Sequence, residues 1–105
     1  MKKKLYNNIN IILGGNAKEN HLMIDNADGN DWWFHLDDYP SGHCIVETDV
    51  LTPELISEAA YFVKMNSKYK SQKKIKVIYL QIKNIKKTKD IGEVILLKTP
   101  DIIIV

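Results

Sequence analysis

The segment from Ile75 to Ile82 constrains the fold most, because apolar residues occupy both of its alternating faces. One face carries Ile75, Val77 and Tyr79, and the other carries Ile78, Leu80 and Ile82. A strand that is apolar on both faces is typical of the interior of a sheet rather than its edge. The segment therefore predicts a central strand to which other strands must pair.

Further strand candidates surround this segment. Alternating or aromatic-rich patterns predict short strands over residues 9–13, 31–36, 43–48, 93–97 and 102–105. Pro40 and Gly42 lie between two of these strands and predict a hairpin over residues 31–48. The turn residues Thr99, Pro100 and Asp101 predict a second hairpin between the last two strands.

The strongest helix signal extends from Pro53 to Lys68. Thr52 suits the N-cap, and Pro53 suits the first helical position. Apolar residues recur at helical spacing and form one face, namely Leu55, Ile56, Ala59, Ala60, Phe62 and Val63. A short helix or turn is expected from residue 17 to 23. The predicted fold is α+β, a mostly antiparallel sheet of about six short strands packed against one main helix.

Length and composition bound the class of protein. A chain of 105 residues predicts one domain over residues 1–105, of which the first seven are expected to form a flexible basic tail. The single cysteine, Cys44, excludes a disulfide within the chain and favours a reducing compartment. No apolar run approaches the ~18 residues of a membrane span. We therefore expect a cytoplasmic protein with no membrane association.

The charges are divided between two parts of the chain, although the net charge is only +2. Ten carboxylates and no lysine lie between Glu19 and Val63. Ten lysines and no carboxylate lie between Lys64 and Lys89. Such a division is typical of a surface that meets a polyanion, and it predicts a nucleic-acid-binding protein.

The lysines supply the first candidate contacts to nucleic acid. We expect the region from Asn84 to Asp90 to be a loop that follows a phosphate backbone. The preferred contacts are Lys83, Lys86, Lys87 and Lys89, followed on the helix by Lys64 and Lys68 with Tyr61 as a stacking surface. The chain contains no arginine, so we expect contacts to backbone and shape rather than to base edges.

The aromatic run from Trp32 to His35 is open to two interpretations. In a strand, Trp32 and Phe34 face one way while Trp33 and His35 face the other. Both pairs could be buried between sheet and helix. Alternatively one face is partly exposed, and Trp33 stacks on an unpaired base.

The remaining candidates are His35, His43 and Asn16. The two histidines flank the predicted turn, where they could fix the hairpin or contact RNA phosphate or ribose. With Asp37 or Asp38 they could also bind a metal or act as acid and base, the less favoured alternative. Asn16 follows two glycines and lies either in a phosphate-cradling turn or in an ordinary one.

Four motifs in order resemble one known family. They are Gly14-x-Asn16-x-x-x-Asn20, Asp31-x-Trp33-Phe34-His35, Pro40-Ser41-Gly42-His43 and Asn84-x-Lys86-Lys87. Together they resemble NFACT-R, the RNA-binding domain of the NFACT proteins of ribosome-associated quality control. The chain departs from the family pattern at Gly15, His21, the order Ser41-Gly42, and Glu47.

The resemblance implies a module that binds tRNA or rRNA on the large ribosomal subunit. We expect this module to be non-catalytic and to need no metal or cofactor. The tail extension that full NFACT proteins assist needs other domains, so we do not expect it of this chain alone. Two alternatives from other classes remain open. One is a protein-interaction module that docks through the acidic part on ribosomal or quality-control factors. The other is a histidine-based, metal-dependent nuclease.

Overall fold

Eight strands and two helices form the fold, in a computed structural model that describes all residues from Met1 to Val105. In chain order these are β1 (Lys2–Tyr6), β2 (Ile9–Leu13), α1 (Ala17–Asn26), β3 (Trp32–Leu36), β4 (Cys44–Val46), α2 (Pro53–Met65), β5 (Lys76–Gln81), β6 (Ile85–Lys87), β7 (Val94–Leu96) and β8 (Asp101–Ile104). One 3-10 turn, Ile82–Asn84, links β5 to β6. Neither helix has the length and apolar character needed to cross a bilayer.

Six of the strands form one antiparallel sheet in the order β1-β2-β4-β3-β5-β8. The remaining two, β6 and β7, pair with each other in a separate two-stranded sheet. The predicted hairpin between β3 and β4 is confirmed, with Trp33 opposite Ile45. Strand β5 lies inside the large sheet, as its two apolar faces predict. The α+β class and the mostly antiparallel sheet are thus confirmed.

Helix α2 covers one face of the large sheet. Its buried residues pack on Phe34, Leu36 and Val46, which project from β3 and β4 into the larger core. Thr52 caps the helix as predicted, because its Oγ1 accepts a hydrogen bond from the backbone nitrogen of Leu55 at 3.2 Å. The helix ends at Met65, three residues before the predicted end.

The opposite face of the sheet is also covered, although the sequence predicts only one main helix. Trp33, Ile45 and Leu80 project to this side and pack with residues of α1 and β6 in a second core. Helix α1 is longer than the predicted short helix or turn. The large sheet therefore lies between α2 on one side and α1 with the small sheet on the other.

The predicted flexible tail is instead an edge strand. Residues Lys2–Tyr6 form β1 and pair with β2, with Lys4 opposite Ile11. Lys4 also forms an ion pair with Glu58 of α2. A lysine-rich sequence is compatible with this position, because charged side chains on an edge strand discourage pairing with other molecules.

The predicted hairpin of the last two strands is wrong. Strand β7 pairs with β6, whereas β8 pairs with the free edge of β5, where Ile78 lies opposite Ile102. Part of the predicted lysine-rich loop forms β6, which provides the partner for β7. Alternation identifies a strand but does not specify its partner, and here β8 pairs with the more distant β5 while β7 pairs with the preceding strand.

The two tryptophans should differ in their effect on stability. Trp33 is only 2% exposed, whereas Trp32 is half-buried. We expect Trp33→Ala to lower the free energy of unfolding by about 3–5 kcal/mol and Trp32→Ala by less, because truncation of a fully enclosed ring leaves a larger cavity. Urea denaturation followed by circular dichroism measures both. A larger loss for Trp32→Ala would contradict the assignment of Trp33 to the second core.

Candidate nucleic-acid interface

A polar cleft of about 780 Å³ opens at one end of the large sheet. Five segments form its walls: the start of β1, the turn from β2 into α1, the loop between β3 and β4, the end of α2 and the turn between β6 and β7. Its lining includes Lys2, Gly14, Gly15, Asn16, Asn20, His35, Ser41, Gly42, His43, Asn66, Lys68 and Gly92. Residues from three of the four sequence motifs therefore meet in one cavity.

Two glycines allow the walls to approach one another closely. A Cβ at Gly42 would lie 2.4 Å from the carbonyl oxygen of Gly14, so the β3–β4 loop touches the β2–α1 turn through bare backbone. Gly92 has a φ of +87°, and a Cβ there would lie 2.8 Å from that of Ala17. Larger residues at these two positions would push the walls apart.

Asn16 and Asn20 build the turn that begins α1. The Oδ1 of Asn16 accepts a hydrogen bond from the backbone nitrogen of Glu19 at 2.9 Å, which is an N-cap contact. The buried Asn20 accepts one from the backbone nitrogen of His43 at 3.2 Å and so joins α1 to the β3–β4 loop. Asn16 thus has a structural role in the turn while it also lines the cleft.

All three histidines of the chain lie in this region. The His35 ring stacks on Trp33 with 5.5 Å between centroids, and His43 meets His35 edge-on at 5.1 Å. His21 lies on α1, where its Nε2 accepts a hydrogen bond from the backbone nitrogen of Gly92 at 2.9 Å. His21 therefore holds the β6–β7 turn against α1.

Burial keeps the two histidines of the cleft in their neutral form. It lowers the pKa of His35, and it lowers the pKa of His43 to about 3, with a smaller contribution from the nearby His35. The Nδ1 of His35 donates a hydrogen bond to the carbonyl oxygen of Leu36 at 2.6 Å. The Nδ1 of His43 is buried and has no hydrogen-bond partner, and the residue is 3% exposed.

No group of three or more histidine, cysteine, aspartate or glutamate side chains is arranged to hold a metal ion. Cys44 lies in the core under α2, on the side of the sheet away from the histidines, and its burial raises the pKa of the thiol. The cleft thus presents neutral imidazoles, amides and backbone groups on its floor.

The candidate lysines differ in their surroundings. Lys86 and Lys89 are exposed and form no ion pair, and Lys68 is exposed at the rim of the cleft. Lys83 is exposed with its Nζ 3.2 Å from Oδ1 of Asn30. These four lysines, Lys68, Lys83, Lys86 and Lys89, are called the lysine surface below.

Two lysines and one tryptophan are less accessible than expected. Lys64 is only 8% exposed, and Lys87 forms an ion pair with Asp25 of α1. Trp33 is enclosed by the second core and presents no face to a base, so the expectation that it stacks on RNA is wrong for this structure. Tyr61 is 51% exposed and remains accessible for stacking.

Four residues belong to the site but are not among those predicted for it, namely Lys2, Asn20, His21 and Gly92. Each reaches the site through contacts between distant segments, such as the hydrogen bond from Gly92 to His21 across 71 positions. Asn20 is part of the first motif, which was the one available signal for this group. Lys2 lies in the segment predicted to be a flexible tail, so its position could not be inferred.

Acid should destabilise the fold through these histidines. Their pKa is lower in the folded state than in the unfolded chain, so the unfolded chain binds more protons as the pH falls below the ordinary value of 6.5. We expect the free energy of unfolding to fall by up to about 1.4 kcal/mol per pH unit for each histidine. For His43 the loss continues until about pH 3.

Urea denaturation across this pH range measures the loss. His35→Phe is the matched variant, because it keeps a ring on Trp33 and removes one titrating group. It should show a shallower decline than the unmodified protein. An identical decline would contradict a neutral, buried His35.

A solved structure shares this fold. It is described as the C-terminal of the fibronectin/fibrinogen-binding protein from Streptococcus suis, with a TM-score of 0.89 and 21% sequence identity. The alignment covers 98% of this chain and 43% of the other, so the chain spans less than half of that structure. No curated protein matches the sequence.

The sequence also matches a family model over most of its length. The model is described as the NFACT protein RNA binding domain, and it matches residues 4–99. The match includes the β2–α1 turn, the aromatic strand β3, the β3–β4 loop and the lysine-bearing strand β6. The chain belongs to the family of NFACT RNA-binding domains.

Proposed function

We propose that this chain binds structured RNA, tRNA or the rRNA of the large ribosomal subunit, in the cytoplasm and in ribosome-associated quality control. The observation that carries the proposal is the set of four exposed lysines, of which Lys68 lines the cleft. Lys89 lies in the β6–β7 turn, of which residues 91–93 also line the cleft. Lys86 lies on β6, the strand that leads into this turn. The family supplies the class of ligand, which is RNA.

The charge environment supports contact with phosphate. Lys86 and Lys89 are exposed without a paired carboxylate, so their charge is available to a polyanion. Each phosphate that a lysine neutralises releases counterions, which makes the affinity fall steeply with salt. Lysine binds phosphate as a point charge and lacks the planar fork of arginine, so we expect preference among RNAs to come mainly from shape.

The burial of His43 and Cys44 favours binding over catalysis. His43 is buried and neutral, so it is poorly placed to exchange protons with a substrate. The thiol of Cys44 is fully buried and its pKa is raised, which leaves it unreactive. We therefore infer a module that holds RNA and does not cleave it.

Removal of three charges from the lysine surface should weaken RNA binding. We expect the variant Lys83→Gln, Lys86→Gln, Lys89→Gln to bind a fluorescein-labelled tRNA less tightly at moderate salt. The slope of log affinity against log salt should become shallower by about 0.7–0.9 for each phosphate that is no longer neutralised. Fluorescence polarisation across a salt titration measures both quantities.

The matched control is the variant Lys3→Gln, Lys70→Gln, Lys73→Gln. It removes the same charge from exposed lysines outside the lysine surface. It should lose less affinity than the first variant. Equal losses would show that only net charge matters, and an undiminished affinity in the first variant would contradict the proposed interface.

A further inference from the structure

We propose that the cleft at the end of the sheet receives one unpaired nucleotide of the bound RNA. The nucleoside would lie against His35 and His43, and its phosphate would lie between Lys2 and Lys68 at the rim. The proposal rests on the proposed RNA binding and adds the site and the feature of the RNA that it selects. Four observations support it: an unpartnered buried nitrogen on His43, an acceptor nitrogen on His35, a cationic rim and a suitable volume.

The floor of the cleft has hydrogen-bonding groups that the protein does not satisfy. His43 lines the cleft and is only 3% exposed, yet its Nδ1 has no partner. Buried polar atoms in native proteins almost always have a partner, so an unsatisfied one calls for an explanation. Because this nitrogen is itself buried, a ligand group in the cleft provides the partner only when the His43 ring or the β3–β4 loop shifts to admit it.

His35 adds a second group with a defined polarity. Its Nδ1 donates to the carbonyl oxygen of Leu36, so its Nε2 is the unprotonated acceptor of the neutral ring. A ligand must therefore offer a donor at this position. Ribose hydroxyls and the amino groups of bases are such donors, whereas a fully ionised phosphate is not.

The rim of the cleft carries positive charges, which attract a phosphate. Lys2 and Lys68 both line the cleft, from β1 and from the segment after α2. Lys2 contacts Oδ1 of Asn66, which places its ammonium group beside the end of α2. Glu93 also lines the cleft and is exposed, so one carboxylate opposes the two lysine charges of the rim.

A cleft with a neutral floor and a cationic rim suits a whole nucleotide better than a phosphate or a nucleoside alone. A free phosphate would find cations at the rim but only neutral rings on the floor. A nucleoside would find the floor but leave the lysines unused. A volume of about 780 Å³ lies within the roughly 300–1,000 Å³ of small-molecule sites. A nucleotide in a duplex is stacked and paired, so it would enter the cleft only at the cost of flipping it out of the helix.

The test compares two labelled RNAs by fluorescence polarisation. One is a blunt-ended hairpin, and the other is the same hairpin with a short single-stranded 3′ extension. We expect the protein to bind the extended hairpin about fivefold to tenfold more tightly, the gain of one or two hydrogen bonds. The blunt hairpin reports on the contacts that need no unpaired nucleotide.

Two variants test the cleft directly. His35→Phe removes the acceptor on the floor and keeps a ring on Trp33, and Lys2→Gln with Lys68→Gln removes the rim charges. Each should abolish the preference for the extended hairpin. The control Lys3→Gln with Lys70→Gln removes the same charge from nearby positions in the chain, which do not line the cleft, and should keep the preference. Circular dichroism verifies that each variant is folded.

The outcomes separate this inference from the proposed function. If the unmodified protein binds both hairpins equally, the cleft is not a nucleotide site while RNA binding stands. If the folded cleft variants keep the preference, the inference is also overturned. If the protein binds neither hairpin at low salt, the proposed function itself fails. Loss of preference in the cleft variants alone supports the assignment.

Discussion

The burial of strand β3 on both faces is the constraint on which the rest of the structure depends. Phe34 projects into the core under α2, and Trp33 projects into the core under α1. Because neither face can be left in water, both helices must pack on the same sheet, one on each side. The strand ends at Leu36, so His35 and the β3–β4 loop are fixed at the edge of the two cores.

The cleft follows from this arrangement, since it forms where the two layers stop at the end of the sheet. Its floor is built from side chains that extend the second core, and the low polarity behind them keeps the histidines neutral. Its rim is built from lysines on segments that reach past the core. The floor is neutral because it is buried, and the rim is charged because it is exposed. This arrangement matches the nucleoside and the phosphate of a nucleotide.

The elements that the sequence predicts well are those with local signals. Helix α2 has its cap at Thr52 and a regular apolar face, and the β3–β4 hairpin has a clear turn, so neighbouring residues alone are enough to locate both. The motifs around Asn16, His35 and His43 are likewise visible in the sequence, and the structure brings all three residues to one cleft.

The features that could not be predicted depend on distant partners. Strand β1 is stabilised by pairing with β2, and β8 by the free edge of β5, neither of which a local pattern specifies. Alternation assigns Trp33 to a face of β3 without saying what covers that face. Lys64 lies on the buried side of the last turn of α2. Its charge by itself would predict an exposed side chain.

The most direct test of the proposed interface is a titration of the ¹⁵N-labelled protein with the hairpin RNA that carries a 3′ extension, followed by amide chemical shifts. Gly15, Gly42 and Gly92 report on three walls of the cleft, and Lys86 and Lys89 report on the lysine surface. We predict that the largest changes cluster at these amides. Changes confined to the acidic first turns of α2, around Glu54 and Glu58, would contradict an RNA interface at the cleft and the lysine surface.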